Sequence, residues 1–150
     1  MIRAEYAFDL PVPPKEAFAI LSDPAMDVEW QSSCVHAKLL DGEPRPGSRY
    51  EIVFQMIGKR LEFLVEVDEF EPGVRSKFHT LDGPFGYVGT YEYTERPDGT
   101  TRVQWTFDVD PGDYFGIMPK PLLRKVLVTQ VKKDSGRLAA RLAEEARLSA

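Results

Sequence analysis

Alternation of apolar and polar residues over most of the chain is the feature that most constrains its fold. Residues 2–10 read IRAEYAFDL, and similar runs fill residues 33–110 between the turn sequences DGEPRPG, IGK, EPG, DGP and RPDG. A period of two is typical of strands with one buried and one solvated face. Short turns join neighbouring strands antiparallel, because a parallel crossover needs a dozen or more residues. The pattern predicts one strand, then a meander of six.

Two segments break this alternation with helical spacing. After Pro13 and Pro14, the segment KEAFAILSD predicts a short helix, and PAMDVEWQ continues it as a second one. After DPGDYFGIMPKP, apolar residues recur four or seven positions apart and so share one helical arc. Because proline is not tolerated inside a helix, a long C-terminal helix is predicted to begin near residue 120. Its arc consists of Leu123, Leu127, Val131, Leu138 and Leu142.

Length and composition narrow the class of protein. The 150 residues predict a single domain spanning residues 1–150. With 43% apolar and 29% charged residues, the chain is expected to fold on its own. Its net charge is −5, and the 19 Lys and Arg residues are scattered among acids instead of forming a basic stripe. Nucleic acid is therefore not expected as a partner.

The sequence also predicts the cellular location of the protein. No apolar run approaches the roughly 20 residues that span a bilayer. The start MIRAEYAFDLP alternates where a signal peptide would be continuously apolar. The single cysteine, Cys34, excludes an internal disulfide. We expect a cytoplasmic protein with no integral membrane association, and the oligomeric state stays open.

One face of the predicted sheet is apolar and rich in aromatic rings. A helix is only about 10–12 Å in diameter, so it cannot cover every inward position of a curved seven-stranded sheet. The rings either pack a dry core or line a chamber, and buried tyrosines need partners for their hydroxyls. The residues predicted to bind a ligand are Trp30, Tyr50, Phe54, Phe63, Phe78, Tyr87, Tyr91, Trp105, Phe107, Leu123, Leu127 and Gln130.

The element order, with PVPPKEAFAILSDP near the start and GPFGYVGTYEY in the middle, resembles the helix-grip proteins of the polyketide cyclase/dehydrase and lipid-transport superfamily, also called START-like or SRPBCC. The resemblance covers essentially the whole chain. It is nearest to single-domain polyketide aromatase/cyclases, which carry a GPF-x-Y segment like residues 83–87. It implies an α+β helix-grip fold: a seven-stranded antiparallel sheet wrapped around a long C-terminal helix, with two short helices between strands 1 and 2. It also implies an internal cavity for a hydrophobic, oxygen-bearing small molecule.

The chain departs from those aromatase/cyclases at three positions. Where they resemble one another in a cavity arginine and serine, this sequence has Val65 and Val67, and a pocket tyrosine falls at or beside Cys34. An arginine can hold an enolate oxygen by charge, whereas valine offers only contact area. Two functions stay open: a cyclase/dehydratase of secondary metabolism, or a non-catalytic carrier or self-resistance protein that sequesters a hydrophobic natural product. Whether the protein is an enzyme stays open with them.

Two residues are candidates for catalysis. Asp134 falls on the apolar arc of the C-terminal helix, one turn after Gln130, where a lone carboxylate is costly. Either it pairs with a Lys or Arg at the edge of the sheet, or it lies in the cavity as the general base for a ketone substrate. Tyr87 is the second candidate, because a phenol can protonate a developing enolate, although binding is the favoured role for the inward hydroxyls.

Metals and cofactors are not expected. The two histidines, His36 and His79, are far apart in the sequence, and no CxxC, HxxxH or HExxH spacing occurs. No GxGxxG or GxxxxGK segment supports a nucleotide cofactor. Both histidines are interpreted as solvated residues, and Cys34 as a small core residue.

Two aromatic features are candidates for the mouth of the cavity. Trp30 closes the second short helix, where helix-grip proteins often have their opening; it either gates the cavity or attaches this helix to the sheet. Residues 111–121, PGDYFGIMPKP, carry Tyr114, Phe115, Ile117 and Met118. They form either a second rim of the opening or a compact loop before the helix.

Overall fold

The protein, represented by a computed structural model, is described over residues 1–56, 58–116 and 118–149. Ile117 lies outside the described residues. The strands are β1 (Ile2–Leu10), β2 (Cys34–Leu39), β3 (Arg49–Met56), β4 (Lys59–Glu71), β5 (Arg75–Asp82), β6 (Gly86–Glu95) and β7 (Thr101–Asp110). The helices are α1 (Pro14–Leu21), α2 (Asp27–Trp30) and α3 (Lys120–Ser149), with a 3-10 turn at Pro24–Met26.

All seven strands form one antiparallel sheet in the order β1-β7-β6-β5-β4-β3-β2. The strands β2 to β7 follow one another as hairpins, and β1 closes the order by pairing with β7, so that Ile2 lies opposite Val109 and Leu10 opposite Thr101. This is the predicted α+β helix-grip fold, which is thereby confirmed.

The segment between β1 and β2 folds into the two predicted short helices. Pro14 occupies the first turn of α1, and the apolar side of α1 buries Ala17, Phe18 and Leu21 against the sheet. The 3-10 turn joins α1 to α2 and is capped by Asp23, whose carboxylate accepts the backbone N–H of Ala25. This compact connection holds α2 beside the start of β2.

The helix α3 covers only part of the apolar face. It begins at Lys120, directly after Pro119 as the prolines predict, and packs chiefly against β1 and α2. The middle strands β4, β5 and β6 therefore face α3 across a gap. No helix in the described part of the chain is long and apolar enough to cross a membrane.

Candidate functional site

A cavity of about 230 Å³ lies between the apolar face of the sheet and α3. Its walls come from the strands β3 to β7, from α2 and from the first half of α3. The aromatic rings therefore line a chamber instead of closing a dry core. The residues singled out from the sequence that line it are Trp30, Phe54, Phe63, Phe78, Tyr87, Tyr91, Trp105, Phe107, Leu123, Leu127, Gln130 and Asp134.

Tyr50 does not line the cavity, contrary to the sequence analysis. It lies at the start of β3 under the 3-10 turn, fully buried, and its hydroxyl donates a hydrogen bond of 3.0 Å to Asp23 Oδ1. Strand parity correctly placed Tyr50 inward. It could not show that the 3-10 turn covers this end of the sheet and provides the partner for the phenol.

The same filled region contains the positions where the chain departs from the aromatase/cyclases. Val65 pairs with Tyr50 across β3 and β4, and neither Val65 nor Val67 lines the cavity. Cys34 is buried in the same apolar cluster, and burial raises the pKa of its thiol to about 12. This part of the interior is thus a packed core, which limits the cavity to the remaining part of the sheet.

Two glycines of the central segment shape the aromatic wall. A Cβ atom on Gly89 would lie 2.5 Å from Cε2 of Phe78, its partner across β5 and β6. A Cβ atom on Gly83 would lie 2.3 Å from Cδ1 of Phe63, and Gly83 also has a positive φ of 150°. The rings of Phe78 and Phe63 can therefore lie directly against the backbone of these glycines. This close approach leaves the cavity side of both rings free.

The rings contact one another in a continuous sheet-side wall. Tyr87 lies 4.7 Å from Phe107 between ring centroids, and Phe107 stacks on Trp105 at 5.6 Å with an interplanar angle of 10°. Phe63 meets Tyr87 edge-on at 5.1 Å. Such paired rings stabilise one another beyond their buried area, so the wall holds its shape.

The hydroxyls of Tyr87 and Tyr91 are two polar groups of this wall that have no hydrogen-bond partner among the described residues. Their residues are only 5% and 2% exposed, yet no hydrogen bond joins either hydroxyl to another described residue. Neither is sealed inside the protein, because no fully enclosed side-chain nitrogen or oxygen in the described ranges lacks a partner. Both hydroxyls therefore open onto the cavity. Tyr93, next on the same face of β6, instead bonds to Ser22.

Asp27 is a cavity residue that the sequence analysis did not single out. It is 5% exposed, and its Oδ1 accepts a hydrogen bond of 3.3 Å from Nε1 of Trp30. Burial raises the pKa of this carboxyl well above its ordinary value. Burial also raises the pKa values of Tyr87 and Tyr91, and the charge of Asp27 adds to both; all three groups line the same cavity.

A sequence signal for Asp27 existed. Asp27 and Trp30 are three residues apart in a helical segment, so they share one face. An inward Trp30 therefore implies an inward Asp27. Trp30 itself is 3% exposed and forms part of the buried wall, an arrangement that favours its attachment of α2 to the interior over a role as a gate.

Asp134 lines the cavity and is fully hydrogen-bonded. It is 2% exposed and accepts hydrogen bonds from Ser32 Oγ at 2.9 Å, Gln130 Nε2 at 3.0 Å and Arg137 at 3.2 Å. Arg137 lies one turn along α3, not at the edge of the sheet, and it also donates to the backbone carbonyl of Trp30. The carboxylate therefore anchors α3 to the segment after α2.

The half-exposed end of the lining forms a rim, defined here as Lys59, Tyr114, Phe115 and Met118. These residues come from the start of β4 and from the loop between β7 and α3. The ammonium group of Lys59 lies 5.3 Å above the ring of Tyr114, a cation–π contact that bridges the two segments. The predicted aromatic loop thus borders the cavity.

Three side chains that could hold a metal ion lie on the other face of the sheet. Ligand atoms of Glu66, Asp68 and His79 are within 4.8 Å of one another, and His79 Nδ1 is 2.8 Å from Asp68 Oδ2. Pairing of β4 with β5 creates this cluster, so spacing in the sequence does not reveal it. A cation there would not touch a ligand in the cavity, and the absence of a metal site stays a prediction.

Comparisons with known proteins agree with this architecture. The sequence model of a family described as polyketide cyclase/dehydrase and lipid transport matches residues 1–147. A START superfamily protein from Mycobacterium smegmatis superposes with a TM-score of 0.81 at 14% identity, covering 96% of this chain and 99% of that one. A protein from Thermus thermophilus reaches 0.75 at 19% identity, with coverages of 95% and 98%. No curated protein matches the sequence.

Proposed function

Since the chain belongs to the polyketide cyclase/dehydrase and lipid transport family, we propose that it binds a hydrophobic, oxygen-bearing small molecule of aromatic polyketide type in the cavity. Family and fold already indicate a START-like domain for a hydrophobic ligand. The finer proposal is carried by one observation: an aromatic chamber whose wall presents the unpartnered hydroxyls of Tyr87 and Tyr91. Flat rings match the wall, and ligand oxygens would supply the missing partners.

The volume of the cavity limits the size of the bound part. At about 230 Å³ it is larger than the roughly 150 Å³ that accommodates benzene. It is smaller than the roughly 300–1,000 Å³ of pockets for drug-sized molecules. One or two fused rings therefore fit within the walls, and a longer chain would extend past the rim.

The polar groups of the cavity favour a non-catalytic function, that of a carrier or a self-resistance protein. Asp134, the predicted general base, is held by three donors, and Val65 and Val67 occupy the positions where the aromatase/cyclases have a cavity arginine and serine. A binder needs only shape, apolar area and a few hydrogen bonds, and the cavity has all three.

Promotion of cyclisation and loss of water is the second candidate, favoured by the acidic groups in the wall. Loss of water from a bound hydroxyketone needs a base for the proton next to the carbonyl and an acid for the departing hydroxyl. In this proposal Asp134 takes the proton and Tyr87 donates one. Burial raises the pKa of Tyr87, so this phenol is protonated at neutral pH but is a weaker acid than a solvated one.

Native mass spectrometry with a panel of aromatic polyketides and linear polyketone mimics tests both functions. A bound, unchanged ligand supports the carrier; a released product lighter by one water supports the enzyme, and Asp134→Asn and Tyr87→Phe should then abolish that loss. Leu127→Trp fills the cavity and should abolish binding. Leu122→Trp, the same exchange on the exposed side of α3, is the matched control and should bind normally. Binding that survives Leu127→Trp would contradict the proposal.

A further inference from the structure

We propose that Asp27, Tyr87 and Tyr91 form a recognition subsite for the oxygen of an uncharged ligand, a ketone or a phenol, and that this subsite rejects carboxylates. The inference rests on the proposed binding function and adds the chemical class of the ligand. The three groups come from α2 and β6 and belong to the buried part of the cavity wall. Most of the wall around them is apolar.

The hydrogen-bond inventory of the subsite matches one neutral oxygen. Each tyrosine hydroxyl can donate one hydrogen bond and accept others, and neither is used within the described residues. The carboxyl of Asp27 is oriented by the indole N–H of Trp30. A ketone oxygen can accept a hydrogen bond from either tyrosine hydroxyl, and a ligand phenol can donate one to the carboxyl of Asp27.

The electrostatics of the subsite disfavour an anion. A ligand carboxylate would lose its hydration on entering this buried, mostly apolar wall and would find no cation among the described residues there to pair with. Among the described residues of the lining, Lys59 is the only lysine or arginine. It is exposed and bound to the ring of Tyr114 at the rim, so it does not reach into the buried wall as a counterion.

A matched set of ligands tests the subsite by isothermal titration calorimetry at pH 7. Naphthalene reports the apolar cavity alone, 2-naphthol and 2-acetylnaphthalene add a neutral oxygen, and 2-naphthoate adds a charge. We expect both neutral oxygen ligands to bind roughly tenfold more tightly than naphthalene, which corresponds to about 1.4 kcal/mol. We expect 2-naphthoate to bind more weakly than either.

Variants identify the groups responsible. The double variant Tyr87→Phe/Tyr91→Phe should lower the affinities for 2-naphthol and 2-acetylnaphthalene to that for naphthalene, with naphthalene binding unchanged. Asp27→Asn should leave 2-naphthoate the weaker ligand, because the variant adds no cation to the buried wall. Tyr93→Phe is the matched control: the hydroxyl of Tyr93 bonds to Ser22 and lies outside the cavity, so the ligand preference should persist.

The outcomes separate the two proposals. If naphthalene binds and the neutral oxygen adds no affinity, or if 2-naphthoate binds as tightly as 2-naphthol, the subsite is refuted while the binding function stands. If the oxygen preference survives the double variant, the assignment to these tyrosines is refuted. If none of the four compounds binds to the folded protein, the binding function fails and the subsite fails with it. Thermal unfolding of each variant establishes that it is folded.

Discussion

The buried carboxyl of Asp27 makes the stability of the protein depend on pH in a direction that can be worked out. Burial raises its pKa in the folded state, and the charge of Asp23 adds to this. In the unfolded chain the carboxyl has an ordinary pKa of about 3.9. Between these two pKa values the folded state holds a proton that the unfolded state has released. The contribution of Asp27 to the free energy of unfolding is therefore fully present below about pH 3.9 and is lost as the pH rises through the folded pKa of this carboxyl.

Asp27→Asn removes this dependence without removing the acceptor for the indole of Trp30. The free energy of unfolding of the variant should match that of the parent protein near pH 4. Above that, the variant should gain relative to the parent by up to about 1.4 kcal/mol per pH unit, the limit for one proton. The gain should level off above the folded pKa. The titratable groups that interact electrostatically with this carboxyl are Asp23, Cys34, Tyr50, Tyr87, Tyr91 and Tyr93.

Urea unfolding between pH 4 and pH 8, followed by tryptophan fluorescence, measures the difference. Glu29→Gln is the matched control, because Glu29 belongs to the same short helix but is exposed. Its free energy difference from the parent should stay nearly constant over this range. A difference for Asp27→Asn that is independent of pH, or that favours the parent increasingly as the pH rises, would refute the argument that burial controls this carboxyl.

Three further predictions concern packing and reactivity. Gly89→Ala should destabilise the protein by about 1–3 kcal/mol in urea unfolding, because the added Cβ would meet the ring of Phe78. Gly136→Ala in α3 should stabilise it by about 0.4–1 kcal/mol, because no other atom lies within 4 Å of the added Cβ. Cys34 should react with a thiol reagent at pH 8 only after unfolding, since burial raises its pKa to about 12, and rapid labelling of the folded protein would contradict this. Asp134→Ala should lower the unfolding free energy by about 1–3 kcal/mol, because Ser32, Gln130 and Arg137 lose an acceptor, and an unchanged value would show that this network contributes no stability.

Local patterns determined the fold of this protein. Alternation with period two, turn sequences a few residues long and prolines before α3 act over short stretches, so they can be read without the partner strands. For the same reason parity placed Phe63, Phe78, Tyr87 and Trp105 correctly on the inner face, and all of them line the cavity. The order of β2 to β7 then follows from their hairpin connections, whereas the pairing of β1 with β7 is a long-range contact that they do not determine.

Only the tertiary structure decided which inward residues border empty space. Tyr50 and Phe54 have the same parity on one strand, yet the 3-10 turn seals the first while the second faces the cavity. Likewise, Asp27 becomes a buried acid because the fold places it in the same cavity wall as Tyr87 and Tyr91, about 60 residues later in the chain. Parity chooses a face, but burial, cavity volume and the environment of a carboxyl depend on what packs over that face from distant parts of the chain.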